Sequence, residues 1–345
     1  MLRNYLSSKS LVLVITLFVL IIDITRADNS QVILSAEEVK HLISKIEDAE
    51  KSLLNIKVES EAWMEESPSP SGPWERTPVH VTATSWFSEL SKSKARVDVH
   101  SEISKVRDGN SGSYSYTEQN YTASYDGQFG KIIYHKYGNV GKPLYIKRGE
   151  VLSDAPRIFN GRRTGAVTGL RFTTNYFFAD RPDRESFSQY FKIAISPEAL
   201  EADAFEIVRE EYNDIQCIKF SLKKSKSFRM TWWFDPSRGF ALLKYENIRI
   251  LENRSEMLDS RITIGKLKKI GDNIWWPVEG TIESDRRKSG EPYQRTVYRA
   301  SKVVANDPNF DEAVFTVPFP DGYLIDDQVA GRKYTVGEEP NAPAK

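Results

Sequence analysis

Residues 78–103 read PVHVTATSWFSELSKSKARVDVHSEI. Val79, Val81, Ala83, Ser85 and Phe87 fall on odd positions of the first half, and Ala95, Val97, Val99 and Ser101 on odd positions of the second. His80, Thr82, Thr84 and Trp86 fall on even positions, as do Arg96, Asp98, His100 and Glu102. A strand turns successive side chains to opposite faces, so this is a hairpin with one apolar and one polar side. The pattern also sets the register: odd residues must oppose odd ones, or valines would share a face with charges.

Working outward, the same alternation recurs. Ile218, Phe220 and Leu222 share a face, as do Phe228, Met230, Trp232 and Phe234, and Ile274, Trp276, Val278 and Ile282. Extended runs are read over 56–65, 78–90, 94–103, 114–124, 129–136, 205–210, 215–223, 228–234, 240–251, 260–269, 274–283 and 293–303. Turn chemistry divides them at Asp126-Gly127, Asn213-Asp214, Asp235-Pro236-Ser237-Arg238-Gly239 and Gly271-Asp272-Asn273. About a dozen strands joined by short turns make an antiparallel meander.

One long helix precedes them. Ser35-Ala36-Glu37-Glu38 is a capping box, and Val39, Leu42, Ile43, Ile46, Ala49, Leu53 and Leu54 follow at helical spacing. The stretch Ser67–Pro73 reads as a solvated loop. Residues 151–204 lack clean alternation and read as an irregular, partly helical insert, with Phe187, Tyr190, Phe191 and Ala194 at helical spacing. Residues 334–345 read as a flexible tail. A sheet greasy on one side must cover that side, and one helix is thin cover. The fold expected is mainly β with helices (α+β): a strongly curved antiparallel sheet forming an unclosed β-barrel, capped by the N-terminal helix and the insert.

Residues 1–27 carry an address rather than a fold. Arg3 and Lys9 precede an apolar run from Leu11 to Ile22, and Ala27 offers a small-residue exit. This is the layout of a signal peptide. The run is shorter than the roughly 18 residues a spanning helix needs. Retention as a short anchor is the alternative, since Thr25-Arg26-Ala27 is an imperfect cleavage site. Removing 1–27 leaves 318 of the 345 residues, read as one domain over 28–333, with 45 basic and 47 acidic side chains. That balance gives no reason to expect nucleic acid.

The chemistry of catalysis is thin. Cys217, the single cysteine, lies in a strand-like run and reads as a small buried hydrophobe. The four histidines (His41, His80, His100 and His135) show no zinc spacing. His80 and His100, with Asp98 and Glu102, read as solvated strand residues rather than a metal site. No nucleophile elbow, phosphate loop or dinucleotide fingerprint occurs. We therefore expect no enzyme activity, no catalytic residues, no metal and no cofactor. Trp232-Trp233 and Trp275-Trp276 each place one indole on each sheet face. Either the inner indoles are ordinary core, or they line an apolar ligand site.

An apolar leader, one long amphipathic helix and a run of antiparallel strands together resemble the lipoprotein-carrier superfamily, the periplasmic outer-membrane lipoprotein-sorting proteins and their relatives. The ending Val304-Ala305-Asn306-Asp307-Pro308-Asn309-Phe310-Asp311-Glu312-Ala313-Val314-Phe315, with Pro318 and Pro320-Asp321-Gly322-Tyr323, is similar to the family's sheet-closing segment. So are Trp233-Phe234-Asp235-Pro236-Ser237-Arg238-Gly239 and Trp275-Trp276-Pro277. The resemblance covers most of 33–328 and rests on layout; the chain is longer than the carriers and adds the insert. It implies an unclosed barrel around a hydrophobic cavity for acyl chains.

The function expected is an exported, periplasmic or secreted, carrier or binder of a lipid-like or acylated ligand. Trp232, Trp276, Phe220, Met230, Leu42 and Ile46 would line the hydrophobic cavity. Its partner would be a lipid or a lipoprotein acyl chain, in a role that extends to outer-membrane lipoprotein sorting. An envelope sensor or protein-interaction module on the same fold, with an envelope protein as partner, is the alternative; an enzyme is the third reading.

Overall fold

The computed structural model describes residues 32–88, 94–107, 114–139, 142–144, 147–153, 191–192, 205–225, 227–251, 256–272, 274–284 and 293–338. The leader, most of the insert and the last seven residues lie outside these. In chain order the elements are β1 (Val32–Ile33), α1 (Ala36–Ser52), β2 (Asn55–Ser67), β3 (Glu75–Ser88), β4 (Lys94–Arg107), β5 (Tyr114–Tyr125), β6 (Gly130–Asn139), β7 (Lys142–Leu144) and β8 (Arg148–Leu152). Then come β9 (Phe205–Tyr212), β10 (Ile215–Ser225), β11 (Phe228–Asp235), β12 (Ala241–Ile250), β13 (Glu256–Gly271), β14 (Ile274–Ser284), β15 (Tyr293–Ala305), β16 (Leu324–Asp327) and β17 (Arg332–Thr335). No described helix is long and apolar enough to cross a membrane.

The hairpin that opened the sequence reading folds as its alternation requires. From Val81↔Ser101 to Phe87↔Ala95 every odd residue faces an odd one, and Trp86 sits opposite Arg96. One bulge at His80, which pairs with Ile103, ends that register. Val79, Val81, Ala83, Val97 and Val99 are buried. On the other face Arg96 stacks on Trp86 at 5.0 Å and binds Asp98 through two nitrogens.

Strand pairing forms one open series. β9 to β15 make an antiparallel meander, β2 to β6 make another, and β15 pairs with β2 to join them. β8 follows β6, and β1 flanks β9. The expected unclosed curved sheet is what forms. The series runs out at β1, beside β9, and beyond β8 at β16 and β17; in sequence, β8 and β9 flank the insert.

Two features depart from the sequence reading. β8 begins at Arg148 and takes in Val151 and Leu152, which had been assigned to the insert. β16 then pairs with β8 in parallel, where antiparallel pairing was expected throughout. The strand was hidden because it is short and contains Gly149. A Cβ there would collide with Phe319, so the glycine lets the C-terminal segment lie against the sheet. Val317, Tyr323 and Ile325 bury themselves there on Ile133, forming a second small core on the convex side. The ladder continues through β17, and residues beyond 338 lie outside the described ones.

α1 begins at the expected capping box: Glu38 N–H donates to Ser35 Oγ at 3.3 Å, and Ser35 N–H donates to Glu38 Oε2 at 2.9 Å. Its far end is tied to the sheet. Leu54 N–H donates to Asn306 Oδ1 at 2.8 Å, and Asn306 Nδ2 donates to the Ser52 carbonyl at 2.7 Å. Asn306 takes φ 51°, a left-handed value that asparagine tolerates. Both helix ends are therefore fixed, which aims Val39, Leu42, Ile43 and Ile46 at the concave side, where all four are buried.

Candidate functional site

The concave face carries one continuous apolar cluster, reaching from Tyr121, Ala123 and Ile132 at one side to Ile207 at the other. Leu42 and Ile46 of α1, Phe220 of β10, Met230 and Trp232 of β11 and Trp276 of β14 all belong to it. Trp276 and Phe220 are 0% exposed, and Trp232 is 1% exposed. The structure thus brings all six anticipated residues into one apolar environment. Phe220 pairs with Trp232 and Leu222 with Met230 across the β10–β11 ladder, and Trp232 pairs with Tyr245 on β12.

The centre of this face is aromatic and is completed from the insert. The Phe191 ring is 0% exposed. It stacks on Phe220 at 4.3 Å and meets Trp232 and Phe234 edge-on at 5.5 and 5.8 Å. Trp232 also contacts Tyr245 at 5.6 Å. Next to Phe191 in sequence, Lys192 donates to Glu47 Oε2 of α1 at 2.5 Å, while Lys51 holds Oε1 at 2.9 Å. Hydrogen bonds from these two lysines hold the Glu47 carboxyl below its ordinary range. The pair is exposed, so it orients Phe191 more than it stabilises the fold.

Cover is scarce, as the sequence suggested. The thirteen strands of the series from β9 round to β8 make an arc of about 60 Å at ~4.8 Å per step. The 17 residues of α1 span about 26 Å, roughly 10 Å wide. A helix that size covers about an eighth of a sheet 60 Å wide and about 35 Å tall. Curvature of the sheet on itself and inserted side chains such as Phe191 must cover the rest.

Tyr245, Phe234, Tyr298 and Phe191 stand with the six anticipated residues in the cluster. Phe234 was placed on the correct face by alternation. Tyr245 and Tyr298 lie within extended runs whose odd–even pattern is weaker, and Phe191 carried only a helical spacing. The Tyr298 hydroxyl is wholly buried; burial pushes it well above the usual phenol range, with the Trp276 indole as its polar neighbour.

On the convex face Trp233 is found, as the alternation predicts, whereas Trp275 is half-buried and packs against the main cluster as well. Trp233 packs with Cys217 and Leu243, donates Nε1–H to Glu210 Oε1 at 3.0 Å, and has Lys244 4.4 Å from its ring. Trp275 has Arg238 over its ring at 5.5 Å. Burial raises the Cys217 thiol to about 11, and the carboxylates of Asp235 and Glu210 add to the rise. It is a protonated thiol at neutral pH and a poor nucleophile. His80 lies 3.2 Å from Glu61 rather than beside His100, and no group of three metal-binding side chains occurs among the described residues.

No protein-family model matches the chain, and no curated protein matches it. Several solved structures are similar to it in outline, two of them as follows. One is a DUF1329 family protein from Desulfovibrio piger, with 13% identity, a TM-score of 0.40, and 81% of this chain and 96% of that chain covered. The other, from Vibrio parahaemolyticus, is described as an outer membrane lipoprotein-sorting protein domain. It shows 11% identity, a TM-score of 0.44, and coverage of 81% of this chain and 97% of that one. The fold assignment rests on this chain's own strand pairing.

Proposed function

We propose that the protein is an exported carrier or binding protein for a lipid-like or acylated ligand, acting by sequestration rather than catalysis in the cell envelope. Outer-membrane lipoprotein sorting is the process such a carrier would serve. One observation carries the reading. The concave apolar face is far larger than its helix, and its aromatic centre is completed by one side chain from outside the sheet, Phe191, which lies between β8 and β9 in sequence. A face completed in this way can exchange Phe191 for an acyl chain without unpairing a strand. The burial of Phe191 also supports a second reading, an interaction module whose core is simply full.

The test is to titrate fatty acids and lipopeptides of increasing length against tryptophan fluorescence. Each buried methylene is worth about 0.8 kcal/mol, so affinity should rise about fourfold per carbon until the face is filled. Trp276→Glu, which would put a charge at a fully buried position, should abolish the response. No saturable response at any length, with the fold intact by circular dichroism, would leave the interaction module.

A further inference from the structure

Along the β11–β12 pair the concave face changes character. Trp232 lies opposite Tyr245, then Met230 opposite Asn247, then Phe228 opposite Arg249. At roughly 3.3 Å per residue this is a walk of about 13 Å from the aromatic centre to a polar end. The Arg249 guanidinium lies over the Phe228 ring at 5.2 Å. Neighbouring strands carry the change around the same end. Asp259 sits in a bulge of β13, 6% exposed, and accepts from Asn247 Nδ2 at 3.1 Å and Arg249 Nη2 at 3.4 Å. Ser284 Oγ donates to the Asp259 carbonyl at 2.7 Å. Gln294, paired with Ser284 on one side and Glu66 on the other, donates to Glu66 Oε1 at 2.8 Å. Met64 and Ile282, two positions inward on β2 and β14, are back in the apolar cluster. The result is a polar belt across five adjacent strands, at one end of an apolar face.

Two atoms of the belt are shut off from solvent without a hydrogen bond among the described residues: the acceptor Asn247 Oδ1 and the donor Arg249 Nε. Buried polar atoms are almost always paired. An unmet donor and an unmet acceptor on successive same-face positions complement a group that carries one of each, such as an amide or a hydroxyl. Charge narrows the choice. An ionised carboxylate carries no hydrogen to offer Asn247 Oδ1, so an anionic head would leave that acceptor unmet.

We propose that this belt is a head-group subsite for a neutral amide- or hydroxyl-bearing head whose apolar chain runs toward Trp232. The proposal rests on the carrier reading above and adds the polarity and position of the head. The experiment compares three ligands of equal chain length on the full protein at pH 8: dodecanoic acid, its primary amide, and 1-dodecanoylglycerol. The amide or the glycerol ester should bind at least tenfold more tightly than the acid. Asn247→Leu, folded by circular dichroism, should lose most of that preference while keeping its dependence on chain length. An acid that binds as tightly as the amide overturns the subsite, and so does a folded Asn247→Leu that keeps the full preference. Should that variant not fold, the comparison on the unaltered protein decides alone. Binding that follows chain length but ignores the head overturns the subsite and leaves the carrier reading standing; no binding of any compound overturns both.

Discussion

Replacing Phe191 by alanine separates a core residue from a stand-in for a ligand. The ring is 0% exposed and touches Phe220, Trp232 and Phe234. Losing a buried phenylalanine ring costs about 3–5 kcal/mol in a core, so Phe191→Ala should lower stability by that order in urea titrations without ligand. If the ring holds a place an acyl chain can take, the same variant opens room for roughly four methylenes at about 0.8 kcal/mol each, a gain of roughly 200-fold in affinity. Ligand at a hundred times its Kd should then restore about 2.7 kcal/mol of the lost stability. The assay is paired: urea unfolding with and without ligand, and a chain-length series read by tryptophan fluorescence. The preferred chain should lengthen by about four carbons. A variant that loses stability and gains neither affinity nor length would refute the reasoning and make Phe191 plain core.

Three further outcomes follow from the same geometry. Ser35→Ala removes the side-chain half of the capping box, leaving the Ser35 N–H to Glu38 bond, and should cost about 1 kcal/mol, read as a lower urea midpoint with an unchanged slope. Burial holds the His135 imidazole below its ordinary range, outweighing the opposing pull of Asp98, and Nδ1 lies 3.2 Å from the Tyr323 hydroxyl on the C-terminal segment. A pKa depressed on folding makes the neutral form the folded one, so this stability is fully present above the unfolded value near 6.5 and is lost as pH falls from there toward the folded value; His135→Phe should flatten that loss between pH 7 and 5. If the leader is removed on export, the intact mass of the exported protein should place its N-terminus near Asp28, and full-length chain in the membrane fraction would contradict this.

What was legible in the sequence was whatever repeats with period two or 3.6. Val79 to Phe87 and Ala95 to Ser101 alternate strictly, so face and register followed from the hydrophobic effect alone. Ser35 and Glu38 announce a helix start through their own hydrogen bonds. Leu42, Ile46, Phe220, Met230, Trp232 and Trp276 could be assigned to one apolar face because each sits in such a pattern. β8 and β16 escaped because five and four residues are too few to show a period, and their pairing depends on chain ends far apart in sequence. The same holds for Phe191: its place at the aromatic centre is a tertiary fact, made by contacts with Phe220, Trp232 and Phe234 far from it in sequence. Bulges were equally silent, and the one beside Asp259 assembles the polar belt from residues that alternation alone would scatter.

The central claim is that the concave face holds an apolar chain. Native mass spectrometry of the protein purified from the exporting cell tests it most directly. The account predicts a mass excess of one lipid-sized molecule, removed by organic extraction, regained on incubation with an acyl compound, and missing in folded Trp276→Glu. Unadorned protein mass before and after incubation with acyl compounds of every length would contradict it.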